Sequence, residues 1–191
     1  MPEVFETELW CDGRGHFNSD QALFVKDLVQ SVKPTVAIET GFCTGRSCSS
    51  VMYYGAEWLK TVISIHISGA DSNIITKLEL EFPDIDFKVL PGDSTLVLKE
   101  ILSARDLKID WATIDGGHSY RECKSDLDDV HSYMNPGGVI IIDDYKSGPP
   151  HGCYFEEVEN ACQDFWKEHK DLYTLTEWNV SGKGVCIFTR K

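Results

Sequence analysis

Val36-Ala37-Ile38-Glu39-Thr40-Gly41-Phe42-Cys43-Thr44-Gly45-Arg46-Ser47 carries the reading of this chain. Its first three residues form a short apolar run with the character of a buried strand. The run passes directly into Gly41 and Gly45, four residues apart. Glycines at such a place let the backbone turn sharply and approach a ligand closely. A helix beginning after the turn presents unpaired backbone N–H groups to a carboxylate or phosphate. The spacing G-x-x-x-G-x-S differs from the dinucleotide fingerprint and from the phosphate loop with its Gly-Lys-Ser/Thr end. Taken alone, the pair also suits a tight β–α turn with no ligand.

Outward from this segment, strand and helix signals alternate. Asn18-Ser19-Asp20 can cap a helix carrying Leu23, Phe24, Leu28 and Val29 that stops before Pro34. Residues 35–39 are the first strand and 47–54 a helix, with Gly55 as its stop. Strands follow at 61–67, 87–90, 109–114 and 139–142, with helices at 72–82, 94–102 and from Ser119 to about Met134. Ser119-Tyr120-Arg121-Glu122 has capping-box spacing. Asn135-Pro136-Gly137-Gly138 reads as a turn, and residues 145–152 as an exposed loop. A helix at 154–169 and an antiparallel hairpin of strands 173–178 and 185–189 close the chain, with 179–184 as the connection. The continuous apolar strands fit a parallel sheet covered on both faces. The expected fold is α/β: a Rossmann-like, doubly wound, mostly parallel seven-stranded sheet with an antiparallel C-terminal hairpin edge. It forms a single domain over 1–191, with an N-terminal extension at 1–19, a core at 20–145 and a C-terminal helix and hairpin at 146–191.

The 191 residues suffice for one full core. A formal charge of −13 argues against a nucleic-acid backbone or an anionic membrane as partner. No stretch has the apolar length to span a bilayer, and no basic-then-apolar leader opens the chain. The seven cysteines, at 11, 43, 48, 123, 153, 162 and 186, include no C-x-x-C pair. They read as reduced thiols of a cytoplasmic protein rather than as a disulfide framework or zinc site.

Two further apolar runs end in acids, Asp115 and the pair Asp143-Asp144. If their strands are neighbours, about 4.8 Å apart, these carboxylates converge at one sheet edge. Such a group repels itself unless a cation neutralises it, and hard oxygen ligands with positions left for water and substrate suit Mg²⁺. Loop acids that cap the following segment are the alternative.

The segments 39–47, Gly92-Asp93-Ser94, Ile114-Asp115-Gly116-Gly117-His118, Asn135-Pro136-Gly137-Gly138 and Ile142-Asp143-Asp144-Tyr145 occur in an order that resembles the class I S-adenosylmethionine-dependent methyltransferases. More narrowly, they look like the small metal-dependent O-methyltransferases of the catechol and macrocin types. The resemblance covers residues 20–145 well and the tail loosely. It implies that Gly41, Thr44 and Gly45 shape the turn around the methionine part of S-adenosylmethionine, with Ser47 near its carboxylate. It implies that Glu39 orients this loop and reaches toward the cofactor amine, and that Asp93 and Ser94 lie near the adenine. Asp115, Asp143 and Asp144 match the metal-ligand positions. His66, Asp115 and His118 also fall along the implied cofactor wall.

His118 stands where the catechol enzymes carry a lysine base. An imidazole there can accept a proton from a hydroxyl acidified by a metal. It can equally be a helix-entry residue packed over the cofactor. Gly117 removes the carboxylate that many relatives place one residue earlier. The second strand departs from the pattern, because His66 replaces the acid that accepts both ribose hydroxyls. Losing that charge-assisted bond costs on the order of 1–3 kcal/mol of cofactor affinity, and it also disfavours NAD. Tyr145, His151, Cys153, Trp178 and Asn179 lie near segments able to wall an acceptor pocket, though ordinary packing accounts for each.

The expected activity is Mg²⁺-dependent O-methylation of a small-molecule hydroxyl on a sugar, phenol or other metabolite. His118 and Asp115 would carry the chemistry, with the edge hairpin available for homo-oligomer contacts. A non-catalytic S-adenosylmethionine-binding module and a different metal-dependent α/β enzyme, a hydrolase or hydroxylase relative, are the rival classes.

Overall fold

β-Branched and aliphatic residues fill the strand segments, and they alternate between two helix-covered faces. The computed structural model describes residues 19–68, 70–149, 153–180 and 182–191. Asn18 of the expected cap, the rest of the extension before it, Cys11 and His151 lie outside these residues. In chain order the elements are α1 (Ser19–Val32), β1 (Val36–Thr40), α2 (Arg46–Gly55), β2 (Thr61–His66), α3 (Ser72–Glu81), β3 (Asp86–Pro91) and α4 (Ser94–Ala104). Then come β4 (Ile109–Ile114), α5 (Tyr120–His131), β5 (Met134–Ile142), α6 (Glu156–His169), β6 (Tyr173–Val180) and β7 (Lys183–Arg190).

The seven strands form one sheet in the order β3-β2-β1-β4-β5-β7-β6. The first five are parallel, whereas β7 runs antiparallel to both β5 and β6. Ala37, Val62, Trp111, Val139, Ile141, Val185 and Ile187 face the side holding α1, α2 and α3. Their strand neighbours Ile38, Ile63, Ala112, Ile140, Ile142, Cys186 and Phe188 face α4, α5 and α6. Two buried faces explain why these strands read as unbroken apolar runs. Each large aliphatic so buried contributes about 1.5–3 kcal/mol relative to exposure. No helix among the described residues is long and apolar enough to cross a membrane.

Local chemistry sets the helix starts. Asp71 and Asp93 cap α3 and α4 by accepting from the N–H groups of Asn73 and Thr95. Ser119 and Glu122 form the reciprocal capping box expected for α5. Three boundaries differ from the sequence reading. The segment 135–138 is not a turn between elements but the irregular beginning of β5. Its register against β4 shifts between Ile109 and Trp111, with Gly137 at φ 82° supplying the kink. Phe155 stays extended, so α6 begins at Glu156. The hairpin is longer than expected, with β6 and β7 paired out to Val180 and Lys183, because Gly182 at φ 82° permits a two-residue connection.

Strand order reverses between β1 and β4, since successive strands after β1 run one way and those after β4 the other. The carboxyl ends of β1 and β4 therefore flank a crevice, the place where open α/β sheets take ligands.

Candidate active site at the carboxyl ends of the strands

The turn after β1 is built by its glycines. Gly41 has φ 95°, and a β-carbon on it would overlap the backbone carbonyl of Asp115. Its N–H donates to the Ile65 carbonyl at 2.8 Å, so the turn is pinned between the ends of β2 and β4. Gly45 has φ 72° and packs against the Phe42 ring. Both positions need glycine for backbone conformation and for space.

Glu39 is 4% exposed and accepts from the Ser64 hydroxyl at 2.6 Å. Burial pushes its pKa to about 7, against hydrogen bonds from Ser64, Ser47 and the Cys48 N–H. Part of the α2 N-terminus is thus directed at a carboxylate of the chain itself. Ser47 is half-buried beside it, and Thr44 is half-buried in the turn. His66 closes β2 and bends toward the glycine turn, where its Nδ1 accepts from the Cys43 N–H at 3.5 Å. Asp93 uses Oδ1 to cap α4, accepting from the Thr95 N–H at 3.0 Å and its hydroxyl at 2.8 Å. Ser94 donates to buried Asp126 at 2.9 Å, and Asp126 in turn lies against the Gly116 turn.

The acids occupy the adjoining edge. The Asp115 N–H donates to the Thr40 carbonyl at 2.9 Å, and the Asp143 N–H to the Ile114 carbonyl at 3.1 Å, which sets three strand ends side by side. His118 places Nε2 3.2 Å from Asp144 Oδ2 and 3.8 Å from Asp115 Oδ1. Its ring stacks on Phe155 with centroids 4.1 Å apart. The neighbouring carboxylates of Asp115 and Asp144 raise its pKa to about 10 despite partial burial. In this arrangement the imidazole is an acid-paired cation rather than a free base. Lys183 brings Nζ to 3.4 Å from Asp144 Oδ1. Burial opposes ionisation of Asp144, but His118 and Lys183 outweigh it and hold its pKa below the usual range. Burial pushes Asp115 upward. Asp143, 9% exposed, is pushed to about 7 by burial and then by Asp115 and Asp144.

Ligand atoms of Asp115, His118 and Asp144 lie within 4.8 Å of one another. Asp143 is not in that group; its Oδ1 accepts from Gln21 Nε2 and from the Asp144 N–H, each at 2.9 Å. Two carboxylates with a third beside them match the donor chemistry of a small divalent cation, and the imidazole could join them only after losing its proton. The other such group among the described residues is Asp128, Glu168 and His169. There Lys124 already bridges the two acids at 2.7 and 2.8 Å.

Sequence reasoning missed Gln21, Phe155 and Lys183. Each arrives from α1 or from beyond β5 and carries no local motif. Of the residues considered for an acceptor wall, Tyr145 is buried and donates to Glu177 at 2.8 Å, and Trp178 stacks on Phe24 at 5.1 Å. Asn179 donates to the Lys146 carbonyl at 3.1 Å, while Cys153 is exposed.

Residues 38–145 match the model of a methyltransferase domain family. No curated protein sequence matches the chain. Among solved structures, the SAH-bound methyltransferase of Podospora anserina is similar at 14% identity and a TM-score of 0.71, covering 100% of this chain and 89% of that one. The O-methyltransferase from Bacillus cereus in complex with SAH matches at 16% identity and a TM-score of 0.67, over 91% of this chain and 82% of that one. TomG from Streptomyces achromogenes, an O-methyltransferase of tomaymycin synthesis in complex with SAM, matches at 12% and 0.68, over 91% and 81%. At these identities what is shared is the fold.

Proposed function

The chain belongs to the methyltransferase domain family that its residues 38–145 match, and from that premise we propose that it is an O-methyltransferase, moving the methyl group of S-adenosylmethionine to a hydroxyl of a small-molecule acceptor with help from Mg²⁺ or another divalent cation. The observation that carries the reading is the junction of Gly41 and Asp115. The turn suited to the cofactor and the acid edge suited to a cation meet there in direct backbone contact.

The Gly41–Gly45 turn would receive the methionine portion, with Thr44, Ser47 and Glu39 around it. His66 would face the ribose, and Asp93 and Ser94 the adenine. Asp115 and Asp144 would hold the cation, with Asp143 and His118 beside them. When bound, the cation supplies positive charge that lowers the pKa of an acceptor hydroxyl. His118 keeps its proton because of its two carboxylate partners. With those partners neutralised, its pKa would fall toward that of an ordinary imidazole, and once its proton had passed to solvent Nε2 could take the hydroxyl proton. The acceptor oxygen would then attack the sulfonium methyl in line as the methyl–sulfur bond breaks and S-adenosylhomocysteine leaves, and holding both reactants in place would supply much of the acceleration. Phe155 keeps the imidazole plane fixed by stacking.

The proposal includes one domain, with 20–145 as the cofactor core and 146–191 completing the sheet. It includes a cytoplasmic setting, supported by described cysteines that form no disulfide. The test is turnover on a panel of sugar, phenol and other hydroxyl acceptors with S-adenosylmethionine and Mg²⁺. Asp115→Asn and Asp144→Asn should lose turnover while S-adenosylhomocysteine still raises the melting temperature. Full activity in those variants, or in chelator, would overturn the cation role. Absence of any melting shift in wild type would overturn the cofactor.

A further inference from the structure

A lysine ammonium sheltered from water is costly unless an anion meets it. Lys183 is 5% exposed, the first residue of β7, and its Nζ lies 3.4 Å from Asp144 Oδ1. The segment before and after it is tightly held. A β-carbon on Gly182 would overlap the Gly148 carbonyl, and one on Gly184 would overlap the Tyr145 carbonyl. The Gly148 N–H donates to Gly182 at 2.7 Å, and the Gly184 N–H to the Ser147 hydroxyl at 2.8 Å. The hairpin therefore delivers Lys183 to the acid edge on a braced backbone.

Asp144 itself sits at φ 57°, in the left-handed region that aspartate tolerates better than most residues, and shares its two oxygens between His118 and Lys183. These two cationic groups differ in kind. His118 is 39% exposed at its side chain. Lys183 is enclosed, with its ammonium held against Asp144. Its field acts on Asp115 and Asp143 as well as on Asp144.

We propose that Lys183 is a positioning residue that anchors Asp144 and, as a resident positive charge, weakens and so tunes the affinity of the Asp115–Asp144 edge for divalent cations. This rests on the cation role proposed above. A fixed ammonium repels an incoming dication and competes with it for the same carboxylate oxygen. Removing the charge while keeping the apolar stem should therefore tighten cation binding, although it takes an interaction away. A lysine that only scaffolded the hairpin would have the opposite effect, because a loosened Asp144 would bind a cation less well.

The experiment is Mn²⁺ titration by calorimetry and by electron paramagnetic resonance, on wild type, Lys183→Met and Lys183→Arg at one pH. Lys183→Met should bind Mn²⁺ about tenfold or more tightly than wild type, the scale on which partners of metal ligands act. Lys183→Arg, which keeps the charge, should bind as wild type does. Lys183→Gln serves if the methionine variant does not fold, with the same tightening expected. Unchanged or weaker Mn²⁺ binding in a folded, charge-free variant would overturn the inference while leaving the cation role intact. If wild type and all variants take up no Mn²⁺, both fall together.

Discussion

The α-carbon of Gly41 faces the backbone carbonyl of Asp115 so closely that the two turns touch without room for a side chain. Through this contact the end of β1 and the end of β4 act as one wall, and a change at either is felt at both.

Gly41→Ala should accordingly be severe. The residue holds φ 95°, which costs an L-residue about 1–3 kcal/mol, and the added methyl overlaps the Asp115 carbonyl as well. Urea unfolding should show a lower midpoint by at least that equivalent, and calorimetry a weakened affinity for S-adenosylhomocysteine. A variant with wild-type midpoint and wild-type affinity would show that the turn is neither strained nor part of the site.

His66→Asp should strengthen cofactor binding. His66 ends β2 beside the glycine turn, and its Nδ1 is engaged by the Cys43 N–H. An aspartate offers two oxygens, enough to keep that contact and accept from ribose hydroxyls. The gain expected for a charge-assisted pair is about 1–3 kcal/mol, roughly five- to 150-fold in dissociation constant. Equal or weaker binding of S-adenosylhomocysteine would place the ribose elsewhere.

Stability should fall in mild acid through His131. Its Nδ1 lies 3.0 Å from the Tyr173 hydroxyl, and its ring is 4.0 Å from that of His169. Burial, followed by the charges of His169 and Arg190, lowers its pKa from 6.5 to about 4, with Asp128 opposing. The folded state thus keeps this ring neutral while the unfolded chain binds a proton below 6.5. The stabilisation is present above about pH 6.5 and is lost as pH falls toward 4. Between pH 7 and pH 5, wild type should lose more in melting temperature than His131→Asn does. Parallel losses would assign the acid sensitivity to other groups.

Much of this architecture is legible locally. Burial on two covered faces makes the strands of the parallel core conspicuous as unbroken apolar runs, and Ser119 with Glu122 announces the start of α5. Boundaries escaped where conformation rests on a single glycine. Gly137 turns an expected connection into an irregular strand, and Gly182 draws Val180 and Lys183 into the hairpin. Glycine permits several backbone states, and sequence alone does not say which one the neighbours select.

The positions of Asp115, Asp143 and Asp144 at strand ends, and of Gly41 and Gly45 after the first strand, follow from the chain's own order. Hydrophobic runs stop at those residues, and parallel connection brings the stops to one edge. What each side chain does there was decided by tertiary packing. Gln21 meets Asp143 across 122 residues, and Lys183 meets Asp144 across 39. Neither partner has a motif, since an amide or ammonium becomes part of a site only through the burial and distance that folding imposes. Charge balance at the edge, and with it the protonation of His118, is a property of the assembled fold.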